Sequence, residues 1–203
     1  MERSLCHADV HTQMAYLESV LAKCQILAEI LKKAPDLRLP NWYVGAGAIA
    51  QTVWNALHGY PFDHGVKDCD LVYFDGDLSV ESENLSRQRG RDLFASLPLD
   101  VDITNEARVH LWYQETFGKD IPPYRSTEEA ITTWPTTATS IGVRYSNGPF
   151  HVYAPYGLHD LLGMIVRPNK TLVSREVYEK KAQWWKSEWP MLEVMAWDEA
   201  APC

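Results

Sequence analysis

The sequence predicts an α/β fold, in which a mixed β-sheet is flanked by helices and further helices are added at the N- and C-terminal ends. Three observations favour this class. Residues 41–44 form a strand-like run that passes through a glycine turn into a helical pattern. A second strand-like run begins with two aspartates one residue apart, Asp68 and Asp70. A third short run, residues 100–103, contains two β-branched side chains and is typical of a strand.

A long helix is predicted near the start of the chain, over residues 8–34. Apolar side chains recur there every three or four positions, which is the spacing of one helix face, and Pro35 ends the pattern. The other elements predicted before residue 118 are a helix over 48–58, a strand over 70–74, a polar helix over 79–97 and a helix over 105–117.

The second half of the chain is less regular. Its predicted elements are a loop over 121–124, a short helix over 126–134 opened by a capping box, a β-hairpin of strands 141–145 and 150–153 around Asn147-Gly148, a helix over 157–166 and a last helix from Ser174. Four residues of the last helix form a stripe that we interpret as core packing: Tyr178, Ala182, Trp185 and Trp189.

The length of 203 residues suits a single domain with additions. We divide it into an N-terminal helix (1–38), a catalytic core that carries the paired aspartates (39–118) and a C-terminal subregion (119–203). No apolar run reaches the length of a membrane span and the N-terminus lacks a signal core, so we expect a cytoplasmic protein with no membrane partner.

The cysteines favour reduced thiols. Cys6, Cys24, Cys69 and Cys203 are scattered without a Cys-x-x-Cys pair, which argues against a disulfide framework or a zinc site. His7 and His11, one helical turn apart near Cys6, are a candidate metal pair, but a frayed N-terminal helix is the interpretation that we favour.

The net charge of −8 bears on the substrate. Proteins that follow a nucleic-acid backbone carry clustered Lys and Arg. The nearest approach here is Arg87, Arg89 and Arg91, which would spread around a helix among acidic neighbours. A small-molecule or protein acceptor is therefore favoured over nucleic acid.

The paired aspartates predict a metal site. Side chains of a strand alternate between faces, so Asp68 and Asp70 point the same way, about 7 Å apart, while Cys69 points to the other face. Asp102, with Asp100 as the fallback, can add a third carboxylate from a neighbouring strand. Such oxygen ligands suit Mg²⁺ or Mn²⁺ beside a nucleoside triphosphate. Taken alone, an Asp-x-Asp pair can also cap a turn.

The glycine turn predicts phosphate binding. The amides of Gly45, Ala46 and Gly47 would lie at a helix N-terminus, where unpaired N–H groups attract phosphate oxygens. Candidate cations for the triphosphate are Lys67, Arg108 and Arg125, and for the two arginines a salt bridge or a surface position is the open alternative. Lys67 could equally pair with Asp63.

These patterns together resemble the nucleotidyltransferase fold shared with DNA polymerase β and the aminoglycoside nucleotidyltransferases. More specifically, the chain is similar to a family of small nucleotidyltransferase-like proteins. The motifs that carry the likeness are residues 45–49, 68–75, 105–110, 123–130 and 154–158, within about residues 42–169. The resemblance implies Mg²⁺-dependent transfer of a nucleoside monophosphate to a hydroxyl. Two positions depart from it: Ala46 offers no serine hydroxyl, and Glu106 stands where the family often has Gln.

Two other functions compete with this one. Residues 45–50 also fit the G-x-G-x-x-A pattern of an NAD(P)-binding oxidoreductase, with Asp75 as the acid that ends the second strand. That hypothesis leaves Asp68 and Asp70 unexplained. The same scaffold could also serve as a nucleotide-binding regulatory protein with an inactive site.

Overall fold

The computed structural model of the chain describes residues 2–145 and 148–199. Its centre is a five-stranded sheet of order β3-β2-β1-β4-β5. The strands are β1 (Tyr43–Gly45), β2 (Asp68–Tyr73), β3 (Asp100–Asn105), β4 (Gly142–Tyr145) and β5 (Phe150–Tyr153). β2 and β3 are parallel, and the other three neighbouring pairs are antiparallel. The sheet is therefore mixed, which confirms the predicted fold class. Of the predicted hairpin turn, Asn147 lies outside the described residues.

The helices flank this sheet. They are α1 (Val10–Lys23), α2 (Gln25–Lys33), α3 (Ala46–His58), α4 (Val80–Phe94), α5 (Tyr113–Phe117), α6 (Thr127–Ile131), α7 (His159–Leu162) and α8 (Arg175–Glu188). Three 3-10 helices add to them: Glu2–His7, Ala34–Leu37 and Glu106–Leu111. Among the described residues, no helix has both the length and the apolar character needed to cross a membrane.

The prediction of a single N-terminal helix over residues 8–34 is wrong, because the helix is interrupted at Cys24. The backbone of Cys24 is extended, with φ −76° and ψ 99°, so α1 ends before it and α2 begins after it. Both helices bury one apolar face, including Leu21 on α1 and Leu27 on α2. Since helical spacing continues on both sides of the break, periodicity alone did not reveal it.

Two further helices are shorter than predicted. The segment 105–117 begins with the end of β3, continues as the 3-10 helix Glu106–Leu111 and ends as α5. The segment 157–166 holds only the four-residue α7, because Met164 adopts a left-handed backbone, φ 57°, that ends the helix. The next residues, Ile165–Val166, form β6, which pairs in parallel with β7 (Glu193–Val194).

The core lies between the sheet, α3 and the C-terminal segment. Trp54 of α3 is fully buried, and its ring centroid lies 5.6 Å from that of Trp185 and 5.7 Å from that of Trp189. The indole N–H of Trp189 donates to Asn55 Oδ1 at 2.6 Å. The aromatic stripe of α8 is thus core packing, as predicted. Cys6, Cys24 and Cys69 are buried and form no disulfide, and Cys203 lies outside the described residues.

Candidate active site

Three aspartates line one cleft at the start of β2 and β3. The parallel register sets Asp70 opposite Asp102, and Asp68 is two residues earlier on the same face of β2. All three line a cleft of about 700 Å³, a size typical of small-molecule sites. Cys69, between the two β2 aspartates, is fully buried on the other face, as strand alternation predicts. Asp100, the fallback, does not line the cleft.

Asp70 has the most unusual environment of the three. It is partly buried, whereas Asp68 and Asp102 are exposed. Burial, and then the negative charges of Asp68 and Asp102, raise the pKa of Asp70 to about 6, while Lys181 acts in the opposite direction. The three carboxylates therefore repel one another in the cleft.

The glycine turn differs in part from its predicted role. Gly45 belongs to β1, and a Cβ there would lie 2.6 Å from the Ile141 carbonyl oxygen, so packing requires a glycine. The amide of Ala46, which has φ 54°, already donates to that carbonyl oxygen at 3.1 Å. Gly47 lines the cleft in the first turn of α3, where N–H groups have no intrahelical acceptor. Of the three predicted amides, that of Gly47 is the best placed to meet a phosphate.

Lys67 lines the cleft beside the aspartates. Its ammonium nitrogen lies 4.6 Å from the ring centroid of Trp184 on α8, an arrangement typical of a cation–π contact. Lys119 and Lys181 line the same cleft. Neither of these two lysines was singled out from the sequence, because only the tertiary fold brings their helices and loops opposite β2.

Arg108 forms a salt bridge, the alternative left open for it in the sequence analysis. It is 7% exposed and does not line the cleft. One of its terminal nitrogens, Nη1, donates to Glu83 Oε2 at 2.7 Å and to the Ser79 carbonyl oxygen at 3.3 Å. The prediction that Arg108 binds phosphate is therefore corrected: its guanidinium fastens the 3-10 helix after β3 to α4.

Arg125 also lies away from the predicted position. It is exposed and is not among the residues that line the cleft. Its main-chain N–H donates to Glu129 Oε2 at 2.6 Å, within the turn that opens α6. The structure therefore does not bring Arg125 together with the three aspartates, and only Lys67 of the three predicted cations reaches the cleft.

Glu106 is a cleft residue that the sequence did not identify as such. It follows β3 directly, is 5% exposed and lines the cleft. Burial, and then the charges of Asp70 and Glu83, raise its pKa to about 8. At neutral pH the Glu106 carboxyl is therefore mostly protonated and adds little charge to the cluster. Its position inside a family motif was the only signal in the sequence.

Aromatic side chains form the opposite wall. Trp112, Tyr124 and Trp134 line the cleft. Tyr156 does not; its hydroxyl donates to the Thr132 carbonyl oxygen at 2.7 Å. Trp184 of α8 completes the wall from the C-terminal side.

The antiparallel pairing of β1 with β2 rules out the dinucleotide-binding alternative, which requires these strands to be parallel.

Comparison with known proteins agrees with this fold. A family model described as Nucleotidyltransferase matches residues 32–194. The chain is also similar to a solved NMR structure described as revealing a CCA-adding enzyme head domain, with 26% sequence identity and a TM-score of 0.71. That similarity covers 88% of this chain and 95% of the other. No curated protein matches the chain. By family and by fold, the chain belongs to the nucleotidyltransferases.

Proposed function

We propose that this protein transfers a nucleoside monophosphate from a nucleoside triphosphate to a hydroxyl group of a small-molecule or protein acceptor, with Mg²⁺ or Mn²⁺ as the cofactor. One observation carries the proposal. Asp70 and Asp102 stand opposite each other on parallel strands, with Asp68 in the same cleft as the first turn of α3.

The donor set fits a hard divalent cation. Asp68, Asp70 and Asp102 offer only carboxylate oxygens, the ligands that Mg²⁺ and Mn²⁺ prefer. Burial, and then repulsion from Asp68 and Asp102, raise the pKa of Asp70, and a bound cation would offset both effects by stabilising its ionised form. These three residues would hold the ion, which when bound neutralises phosphate charge and lowers the pKa of an attacking hydroxyl.

The residues of the cleft divide the remaining tasks. Gly47 would offer its amide to a phosphate oxygen, and Lys67 and Lys181 would offset the charge of the triphosphate. Trp134 and Trp184 provide flat apolar surfaces against which a base can stack. Since Asp70 must be ionised to act as a ligand, protonation competes with the cation, and we expect its affinity to fall as pH drops below about 6.

The reaction is a displacement at phosphorus. The acceptor oxygen forms a bond to the α-phosphorus, and the bond from that phosphorus to the bridging oxygen of the pyrophosphate breaks. The hydroxyl proton passes to solvent, and pyrophosphate leaves with the bonding electrons. Holding both reactants in one cleft adds to the rate, because it makes a bimolecular step effectively unimolecular.

The acceptor is proposed from charge. The similar solved structure is described as a CCA-adding enzyme head domain, so a nucleic-acid end is the competing acceptor. The net charge of −8 argues against it, because binding a phosphate backbone depends on clustered cations. Three lysines and three aspartates line the cleft, a balance that suits one triphosphate rather than a charged polymer.

The test uses triphosphates labelled at the α-phosphate. Wild-type protein with Mg²⁺ is expected to move label onto an acceptor drawn from metabolite pools, from tRNA or from protein, and to release pyrophosphate. Asp70→Asn is expected to lose at least about 100-fold of this rate, the effect of removing one strong electrostatic contact. Asp100→Asn is the matched control, because Asp100 lies on the same face of β3 but outside the cleft.

Each outcome separates two functions. Label on a small molecule or protein supports the proposal, whereas label only on RNA ends would overturn the acceptor assignment. Triphosphate binding that depends on Asp70, with no pyrophosphate released in a single turnover, would replace the enzyme by a nucleotide-binding regulatory protein.

A further inference from the structure

A second cluster of metal-binding side chains lies far along the chain from the cleft aspartates. Cys6, His7 and His159 each offer one ligand atom, and these atoms all lie within 4.8 Å of one another. Cys6 and His7 end the 3-10 helix Glu2–His7, and His159 begins α7. The pair considered from the sequence, His7 with His11, is thus replaced by His7 with His159, which only the fold brings together.

A buried hydrogen bond holds the Cys6 side of the cluster. The side-chain amide of Gln13 donates to the Cys6 carbonyl oxygen at 2.8 Å and so fixes the backbone at the end of the 3-10 helix. Cys6 itself is 8% exposed. The imidazole rings of His7 and His159 lie with their centroids 5.1 Å apart and their planes at 58°.

His159 has the supporting partner that metal-ligating histidines commonly show. Its Nδ1 lies 3.2 Å from Asp160 Oδ1. Asp160 is in turn fixed by Arg167, whose Nε donates to Oδ2 at 2.9 Å, and by the hydroxyl of Thr137 at 2.6 Å. A carboxylate that binds one imidazole nitrogen sets the ring orientation and leaves the other nitrogen, Nε2, for a metal.

The ligand atoms can reach tetrahedral geometry with small movements. Zn–S bonds of about 2.3 Å and Zn–N bonds of about 2.0–2.1 Å bring neighbouring ligand atoms to roughly 3.4–3.6 Å. Ligand atoms that lie within 4.8 Å of one another need to approach by at most about 1.4 Å to reach these separations, and the side chain of His7 is exposed. Three protein ligands leave a fourth position for water.

We propose that Cys6, His7 and His159 bind a divalent transition-metal ion of the zinc class, which fastens the N-terminal segment to α7. One thiolate and two imidazoles select zinc-like ions over Mg²⁺, whereas the carboxylates of the cleft select Mg²⁺. The two sites therefore take different metals, and this proposal is independent of the function proposed for the cleft.

The test uses Co²⁺ as a spectroscopic probe in the presence of excess Mg²⁺. Wild-type protein is expected to bind one Co²⁺ per chain with a thiolate-to-cobalt charge-transfer band, which carboxylates cannot produce. Cys6→Ser is expected to lose this band. His7→Ala and His159→Ala are expected to weaken Co²⁺ binding by more than about tenfold, since even losing a supporting partner costs about 10–100-fold.

Two variants serve as controls. Asp70→Asn removes a cleft aspartate and His11→Ala removes the exposed histidine of α1, and both are expected to keep the band unchanged. Zn²⁺ is also expected to raise the unfolding midpoint of wild type and not that of Cys6→Ser, because an ion that binds only the folded state stabilises it. If Cys6→Ser does not fold, the two histidine variants decide.

The proposal is overturned if wild type shows no thiolate band. It is also overturned if both histidine variants bind Co²⁺ as tightly as wild type, because Cys6 would then bind the ion without the cluster.

Discussion

Buried carboxylates occupy two contrasting environments in this protein. Glu83 and Asp160 are each paired with an arginine: Arg108 Nη1 lies 2.7 Å from Glu83, and Arg167 Nε lies 2.9 Å from Asp160. Burial acts to raise the pKa of Asp160, but the hydrogen bonds from Arg167 and Thr137 outweigh it and lower that pKa.

The carboxylates of the cleft have the opposite surroundings. Among the described residues, no ion pair joins Asp70 or Glu106 to a cation, and burial raises the pKa of Asp70 to about 6 and that of Glu106 to about 8. Removing one partner of a buried ion pair is destabilising, because the other charge is then left buried without compensation. A buried acid that has no such partner and lies in a cleft is instead a candidate functional residue.

The largest change in stability is expected when Glu83, which is paired with Arg108, is replaced. Glu83→Ala leaves the Arg108 guanidinium buried without its partner and also removes the acceptor of the Asn105 N–H. The free energy of unfolding, measured by chemical denaturation, is expected to fall by about 3–5 kcal/mol. Glu179→Ala, which breaks an exposed ion pair with Arg175, is the control and is expected to leave stability nearly unchanged. Equal losses in the two variants would remove the distinction between paired and exposed acids.

Replacing Glu106, a cleft carboxylate without an arginine partner, is expected to stabilise the protein rather than destabilise it. The folded-state pKa of Glu106, about 8, lies above its ordinary value of 4.5, so the folded state holds an extra proton between these pH values. Stability therefore falls as pH rises from about 4.5 to 8. Glu106→Gln removes this loss and is expected to raise the free energy of unfolding at pH 8 by about 2–4 kcal/mol. A destabilised variant would show that Glu106 has a stabilising partner when folded.

Asp70→Asn is expected to act in the same direction more weakly. The folded pKa of Asp70, about 6, exceeds its ordinary value of 3.8, so its ionisation costs stability as pH rises through this window. With allowance for its partial exposure, the variant is expected to gain about 1–2 kcal/mol at neutral pH without metal. The comparison is made by thermal and chemical unfolding at pH 4 and pH 7, and a gain that is equal at both values would contradict the assigned cause.

The smallest expected effect is a difference in triphosphate affinity between variants of Lys67 and Arg125, the two exposed cations predicted to bind phosphate. Lys67→Ala is expected to weaken triphosphate affinity about twofold to fivefold, the effect of one exposed charge pair, and more at low salt than at high salt. Arg125→Ala, which changes a residue outside the cleft, is the matched variant and is expected to bind as wild type does. Calorimetric titration of both variants measures the difference. The reverse order would restore Arg125 as the phosphate ligand.

The features that could be predicted from the sequence, namely the cleft aspartates and the mixed sheet, depend on local geometry. Strand alternation places Asp68 and Asp70 on one face, and the neighbouring β-branched strand supplies Asp102, so the acidic side of the cleft needed no knowledge of distant contacts. The mixed sheet followed from the same short patterns.

What the sequence could not predict depends on contacts between distant segments. Arg108 was a candidate for phosphate because its motif lies near the site, with a salt bridge as the open alternative, and the 3-10 helix after β3 directs its side chain to Glu83 on α4. Lys181 and Trp184 reach the cleft only because α8 packs its other face against Trp54. A composition or a spacing contains no information about such an approach.

Whether the cleft carboxylates hold a cation is tested most directly by titrating the protein with Mg²⁺ and a triphosphate whose α–β bridge cannot be cleaved, across a range of pH. We expect the affinity of wild type to fall as pH drops below about 6, because Asp70 then takes up a proton. We expect Asp70→Asn to bind at least about tenfold more weakly at neutral pH and without this pH dependence, while Asp100→Asn follows wild type. Equal affinity of wild type and Asp70→Asn at every pH would contradict the assignment of the metal site.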